Sequence, residues 1–132
     1  MLVLDASAAV AVFLNLGPGA GNIRLRISLP GESLHVPQLF DVEVLHMLRR
    51  HSLRGTLSGY REDAALGGLR DMRLSRYSHT PFLDRVWELK DNLSAYDAAY
   101  VALAETLSAP LVTTDARLAR APGIRAEVEV YG

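Results

Sequence analysis

Four acidic residues stand out in this 132-residue sequence because of the positions they occupy. Asp5 and Asp115 each close a short apolar run, where a buried strand would end. Glu43 and Asp97 lie instead in segments of helical character, among apolar or small neighbours. Since a carboxylate in such surroundings needs a partner, the four residues are candidates for one functional site.

The chemistry of clustered carboxylates points to a divalent cation. Several acids held together repel one another, and this repulsion requires a cation or shared protons. Hard oxygen ligands suit Mg²⁺ or Mn²⁺ better than softer metals. Such ions lower the pKa of a bound water and neutralise charge on a phosphodiester. The four acids therefore predict hydrolysis of a phosphate backbone by a metal-activated water.

Each acid taken alone also has a structural interpretation. Asp5 and Asp115 stand where helix N-caps are found, and Ser7 is a further candidate cap for the helix that follows Asp5. Asp97 lies near the start of a helix, where the helix dipole favours a negative charge. Glu43 is harder to explain in this way, so the metal-site hypothesis depends most on Glu43.

The elements that must position these acids alternate along the chain: short apolar runs are followed by segments of helical periodicity. Strands are predicted over Leu2–Leu4, Leu34–Val36, Leu74–Ser78, Leu111–Thr113 and Arg125–Val130. Helical segments are predicted over Ala6–Leu16, Ala20–Leu29, Gln38–Leu53, Ser58–Met72, Pro81–Lys90 and Ser94–Leu107, and a turn over Ala116–Arg120. Gly67 and Gly68 weaken the fourth of these helices.

This alternation is typical of an α/β fold, a three-layer α/β/α sandwich with a central parallel sheet. Sites in such folds form outside the carboxyl ends of the strands, which meet at one edge. Asp5 and Asp115 are therefore expected at the same edge of the sheet. The length fits a single domain over residues 1–132, without an internal linker.

The composition excludes several classes of protein. The chain contains no cysteine, which rules out disulfides and thiolate zinc sites. Asp5 interrupts the N-terminal apolar run, so a signal peptide fits poorly, and no segment is apolar for long enough to span a membrane. We therefore expect a cytoplasmic protein with no membrane partner.

Four short motifs, taken in order, give the sequence a resemblance to a known family. They are Leu2-Val-Leu-Asp-Ala-Ser7, Asp41-Val-Glu43, Tyr96-Asp-Ala-Ala-Tyr100 with Ala102-Leu-Ala-Glu105, and Thr113-Thr-Asp115. Their order and spacing resemble those of PIN-domain proteins, specifically the VapC toxins of bacterial toxin–antitoxin pairs. The resemblance covers almost the whole chain.

The resemblance implies a PIN-like α/β/α fold and the toxin of a type II toxin–antitoxin system, an Mg²⁺- or Mn²⁺-dependent endoribonuclease. It also implies an RNA substrate, a homodimer and a cognate VapB-type antitoxin that blocks the site. By position, the acidic quartet of the family corresponds to Asp5, Glu43, Asp97 and Asp115. Ser7 and Thr113 match hydroxyl positions that commonly support the water shell of the metal.

Two alternatives to this function remain open. A non-catalytic protein-binding module could keep the same fold, although a site that has lost its catalytic function would not be expected to retain mutually repelling acids. A nuclease acting on DNA would use the same metal chemistry, and recognition of the 2′-OH cannot be deduced from these motifs. The family resemblance alone favours RNA.

Basic and apolar residues outside the quartet add two further hypotheses. The net charge is −1 and Lys90 is the only lysine, so arginines would supply any phosphate contacts. Candidates for holding RNA phosphates are Arg85, Arg117 and Arg120, with solvated helix surface as the competing interpretation. Candidates for a groove that accepts the antitoxin or a second protomer, or for core packing instead, are Val12, Phe13 and Leu16.

Overall fold

A five-stranded parallel sheet forms the centre of the computed structural model, which describes residues 1–132. The strands are β1 (Leu2–Leu4), β2 (Leu34–Pro37), β3 (Leu74–Tyr77), β4 (Leu111–Thr113) and β5 (Val128–Val130). Their order across the sheet is β3-β2-β1-β4-β5, and every neighbouring pair is parallel. The first strand of the chain therefore lies in the middle of the sheet.

Seven α-helices flank this sheet. They are α1 (Ala6–Leu14), α2 (Ala20–Ile27), α3 (Phe40–Leu53), α4 (Tyr60–Asp71), α5 (Leu83–Glu88), α6 (Ala95–Leu107) and α7 (Ala116–Arg120). α6, with α5 beside it, packs against β1, β2 and β4, whereas α1 packs on β4 and contacts α2, α3 and α4. The predicted α/β/α fold is confirmed. None of the helices has the length and apolar character that crossing a membrane requires.

Differences from the predicted boundaries have local causes. α1 ends at Leu14 because Asn15 adopts the left-handed conformation (φ 52°), and its N–H bonds back to the last turn of the helix. The helix predicted over 81–90 is divided into a 3₁₀ turn, Thr80–Phe82, and α5. The last strand begins at Val128 rather than at Arg125.

The core lies on both faces of β1 and under α6. All three residues of β1 are fully buried, as expected for the central strand of a parallel sheet covered on both faces. In α6 the residues 98–104 are all buried, and alanines among them let the helix lie close to the sheet. This close approach holds the start of α6 beside the carboxyl edge of β1.

Gly68 shows why a residue that weakens a helix stands in the middle of α4. A Cβ atom at Gly68 would lie 2.9 Å from the ring of Phe13 in α1. Close packing of the two helices therefore offsets the intrinsic cost of a helical glycine, about 0.5–1 kcal/mol. Phe13 and Val12 are consequently partly buried against the core, whereas Leu16 remains exposed.

Candidate active site

Two of the four acids lie at the carboxyl edge of the sheet, after neighbouring strands. Asp5 directly follows β1, and Asp115 follows β4 after one intervening residue. Leu4 and Val112 pair across these strands, and the Asp5 N–H donates to the Val112 carbonyl at 3.0 Å. The parallel sheet thus brings Asp5 and Asp115 to the same edge, as expected from their positions after the strands.

Asp5 is the most buried of the four acids, with only 6% of its surface exposed. Its Oδ2 accepts hydrogen bonds from Ser7 Oγ at 2.8 Å and from Thr113 Oγ1 at 2.7 Å. Burial raises the pKa of Asp5, and the two hydroxyl donors oppose that rise. The prediction that Ser7 caps α1 is wrong, because Ser7 lies within the first turn of the helix and its oxygen accepts from the Thr114 N–H rather than from a helix N–H. The Asp5 side chain makes no capping bond either.

The hydroxyls of Ser7 and Thr113 connect the ends of β1 and β4. They lie 3.3 Å apart, and each donates its one proton to the same oxygen of Asp5. Thr113 Oγ1 also accepts from the Asp115 N–H at 3.0 Å, and Ser7 Oγ accepts from the Thr114 N–H at 3.3 Å. The orientation of Asp5 is thus set by groups whose own positions are held by backbone bonds.

Glu43 lies in the first turn of α3 and is partly buried. Its Oε1 is buried and has no hydrogen-bond partner of normal geometry. Burial, and then the charge of Asp5, raise the pKa of Glu43 to about 7, and the charge of Asp97 adds to the rise. Since a partly buried carboxylate beside two other acids is costly without a counter-charge, Glu43 is the acid that most clearly requires a cation.

Asp97 lies in the first turn of α6, but it does not cap that helix. Ser94 is the cap, and its Oγ accepts from the Asp97 N–H at 3.1 Å. Burial raises the pKa of Asp97, and the charges of Asp5 and Asp115 raise it further. A carboxylate stabilised mainly by the helix dipole would have a lowered pKa, so the structural interpretation does not account for Asp97.

Asp115 combines a capping role with an ion pair. Its Oδ1 accepts from the Arg117 N–H at 2.9 Å, which caps α7 as the structural interpretation predicted. The Arg117 guanidinium also contacts both carboxylate oxygens, with Nη2 to Oδ2 at 2.7 Å. These contacts lower the pKa of Asp115. Asp115 is therefore the only one of the four acids that has an ion-pair partner.

Together the acids form one electrostatic cluster with three carboxylates that no cation neutralises. The charge of Asp5 raises the pKa of Glu43 and Asp97, and the charge of Asp115 raises that of Asp5 and Asp97. No three acidic or histidine side chains, however, are arranged so that they could hold a metal ion as they stand. The oxygen donors and the absence of an ion-pair partner at Asp5, Glu43 and Asp97 fit a hard divalent cation, provided that the side chains rotate towards one another.

Two open clefts meet at Asp97 and give access to the acids. One has a volume of about 550 Å³ and is bordered on its basic side by Arg117 and Arg120. The other has a volume of about 510 Å³ and is lined by Glu43 and the exposed Tyr96. The sequence reasoning did not single out Tyr96 as a site residue, although its position directly before Asp97 was the signal that could have found it.

Arg85 does not hold a phosphate at this site, and that prediction is wrong. Its Nε and Nη2 donate to Glu105 at 2.8 and 3.0 Å, and Nη2 also donates to the Gly123 carbonyl at 2.8 Å. Glu105 lies in the last turn of α6, whereas Asp97 lies in its first turn. The guanidinium therefore holds α5 and the segment before β5 against the far end of α6.

Comparison with known proteins places the chain in a family. A family model described as PIN domain matches residues 2–124, and the chain therefore belongs to the PIN-domain family. One curated relative is Ribonuclease VapC9 of Mycobacterium tuberculosis. It is 45% identical over 118 residues, which cover 89% of this chain and 88% of that protein.

Solved structures have the same fold at lower sequence identity. VapC20 of Mycobacterium tuberculosis, described as a sarcin–ricin loop cleaving toxin, has a TM-score of 0.72 at 17% identity and covers 100% of both chains. VapBC2 of Rickettsia felis, bound to a DNA fragment from its promoter, has a TM-score of 0.68 at 13% identity and covers 99% of this chain and 98% of that one. These two similarities concern the fold alone.

Proposed function

We propose that this protein is the toxin of a type II toxin–antitoxin system and acts as an Mg²⁺- or Mn²⁺-dependent endoribonuclease. The observation that carries the proposal is the acidic cluster at the carboxyl edge of the sheet, in which three of four carboxylates have raised pKa values and lack a counter-charge. The 45% identity to a ribonuclease of the VapC type supports RNA as the substrate.

The residues that would hold the metal, directly or through water, are Asp5, Glu43, Asp97 and Asp115. A divalent ion bound there supplies an activated water and neutralises charge on the phosphodiester. Ser7 and Thr113 orient Asp5 and oppose the rise of its pKa, so that it can ionise despite its burial. Glu43 completes the metal shell or positions the attacking water.

The two clefts beside Asp97 suit a single-stranded nucleic acid that crosses the acids. Arg120 borders one cleft, where it can meet a backbone phosphate. Tyr96 borders the other, with a ring exposed enough for a base to stack on it. In this arrangement the phosphodiester between the phosphate at Arg120 and the base on Tyr96 would lie over the acidic cluster.

The proposal includes partners. A cognate VapB-type antitoxin would cover the acidic cluster, and the similarity to the VapBC2 structure supports a partner of this kind. Such an antitoxin must bring positive charge, because three carboxylates of the cluster lack a counter-charge. We also propose a homodimer, and a cytoplasmic location where RNA and antitoxin are both present.

A non-catalytic binding module has less support. Burial and mutual repulsion of Asp5, Glu43 and Asp97 cost folding stability, as their raised pKa values indicate. A surface that only binds protein would gain stability by losing these charges. Their presence is explained if they bind a cation that the reaction needs.

The test is cleavage of a single-stranded RNA, and of DNA with the same base sequence, by the wild type and by Asp5→Asn with and without Mn²⁺. We expect RNA cleavage by the wild type that stops on chelation, and none by the variant, which should still fold. Asp63→Asn, which alters an exposed acid of α4, is the matched control and should cleave normally. Metal-dependent cleavage by Asp5→Asn at the wild-type rate would contradict the assignment of Asp5 to the metal site. Cleavage of DNA alone would show that the substrate is DNA rather than RNA.

A further inference from the structure

Tyr100 is a buried ionisable residue that the proposed chemistry leaves without a role. It lies on α6 three residues after Asp97, so the two side chains project from neighbouring positions on one face of the helix. Tyr100 is fully buried, and it is among the largest side chains of the core. Phenylalanine would fill the same space without burying a hydroxyl group.

The Tyr100 hydroxyl and Glu43 Oε1 share an unusual property. They are the only buried side-chain nitrogen or oxygen atoms of the protein that lack a hydrogen-bond partner of normal geometry. They are also neighbours across α6 and α3, close enough for the Tyr100 hydroxyl to lower the pKa of Glu43 by hydrogen bonding. Burial, and then the charge of Glu43, raise the pKa of Tyr100. A donor and an acceptor, neither of which has another partner, thus lie beside one another between α6 and α3.

We propose that Tyr100 is a positioning residue, whose hydroxyl donates to Glu43 Oε1 and leaves the other carboxylate oxygen to face the cation. This inference rests on the proposed metal site. In this role the Glu43 side chain adjusts until the bond between the hydroxyl and Oε1 is formed. The role resembles that of the hydroxyls on Asp5, which also occupy one oxygen of a carboxylate and leave the charge in place.

A neutral donor suits this position better than a cationic one. An arginine or lysine beside Glu43 would pair with the carboxylate, as the Arg117 guanidinium pairs with Asp115, and would compete with a cation for it. The Tyr100 hydroxyl is a donor that brings no positive charge to the carboxylate. Glu43 therefore keeps its charge for the ion while one of its oxygens is held.

The test compares Tyr100→Phe with the wild type in binding Mn²⁺ by titration calorimetry. We expect the dissociation constant for Mn²⁺ to rise about 10–100-fold, the usual effect of removing a partner that orients a metal ligand. The KM for RNA should stay unchanged, and kcat should fall at limiting Mn²⁺ and recover in part at high Mn²⁺. Tyr77→Phe is the control, because that hydroxyl bonds to His35 Nδ1 at 2.7 Å in β2, and its Mn²⁺ affinity should not change.

Thermal unfolding without metal separates positioning from a purely structural role. Removing a buried hydroxyl that has no regular partner should leave the metal-free Tyr100→Phe protein at least as stable as the wild type. Unchanged Mn²⁺ affinity in this variant, or a loss of metal-free stability that accompanies the loss of affinity, would overturn the inference and leave the proposed function intact. A wild type that binds no Mn²⁺ would overturn both.

Discussion

Replacing Glu43 by glutamine should stabilise the metal-free protein at alkaline pH, although the substitution damages the proposed metal site. Glutamine keeps the shape of the side chain and removes the charge. Burial and the charge of Asp5 raise the folded-state pKa of Glu43 from 4.5 to about 7. At pH values between 4.5 and about 7, the Glu43 carboxyl keeps its proton in the folded protein and loses it in the unfolded chain. The contribution of the Glu43 proton to the stability of the wild type is therefore lost as the pH rises through this window, and it stays absent at higher pH.

The size of the effect follows from the shift. At about 1.4 kcal/mol per pKa unit, the charged Glu43 costs the folded state at most about 3.5 kcal/mol above the window. Glu43 is only partly buried, and solvent screening reduces this figure to about 1–2 kcal/mol. Glu43→Gln should gain that amount at about pH 8, and it should match the wild type at about pH 4, where the carboxyl is already neutral.

Urea denaturation in the presence of a chelator, at both pH values, measures this difference. Glu127→Gln, which alters an exposed carboxylate without an ion pair, is the control and should show no gain at either pH. Saturating Mn²⁺ should reverse the order at alkaline pH, since a ligand that binds the folded wild type stabilises it. A metal-free Glu43→Gln protein that is no more stable than the wild type at about pH 8 would refute the reasoning about the unneutralised cluster.

Three further substitutions test separate parts of the structure. Thr113→Val removes one of the two donors to Asp5, so it should cost about 1–3 kcal/mol in urea denaturation, and equal stability would contradict the role of the hydroxyl. Arg117→Ala should leave the unfolding midpoint nearly unchanged because the ion pair is exposed, while raising the pKa of Asp115 measured by NMR titration. Gly68→Ala should lower stability by about 1–3 kcal/mol, despite the better helix propensity of alanine, because its Cβ would collide with an aromatic ring of α1. A thermal midpoint at or above that of the wild type would show that the ring can move aside.

The sheet and two of the acids could be predicted because strand ends in a parallel sheet share one edge. The location of Asp5 and Asp115 could be predicted from the positions of two short apolar runs alone. Those runs form β1 and β4 with the predicted boundaries. Glu43 and Asp97 could be recognised as acids in unsuitable surroundings. Their approach to Asp5, however, depends on how α3 and α6 pack on the sheet, and no local pattern encodes that packing.

Other features depended on tertiary contacts that spacing does not reveal. Ser7 has the residue type of a cap, but its oxygen accepts from the Thr114 N–H after β4 and its proton is donated to Asp5. Arg85 was placed near the site on its residue type alone, whereas Glu105 engages it at the other end of α6. Tyr100 fits the apolar periodicity of its helix, and only the packing of α6 beside α3 shows that its hydroxyl lies next to Glu43.

The most direct test of the metal site is a calorimetric titration of the chelator-treated protein with Mn²⁺. The wild type and Asp63→Asn should bind the ion, and Asp5→Asn and Asp97→Asn should bind it much more weakly or not at all. The folded state of each variant can be checked by circular dichroism. A wild type that binds no Mn²⁺, or an Asp97→Asn protein that binds it as tightly as the wild type, would contradict the claim that these acids form one metal centre.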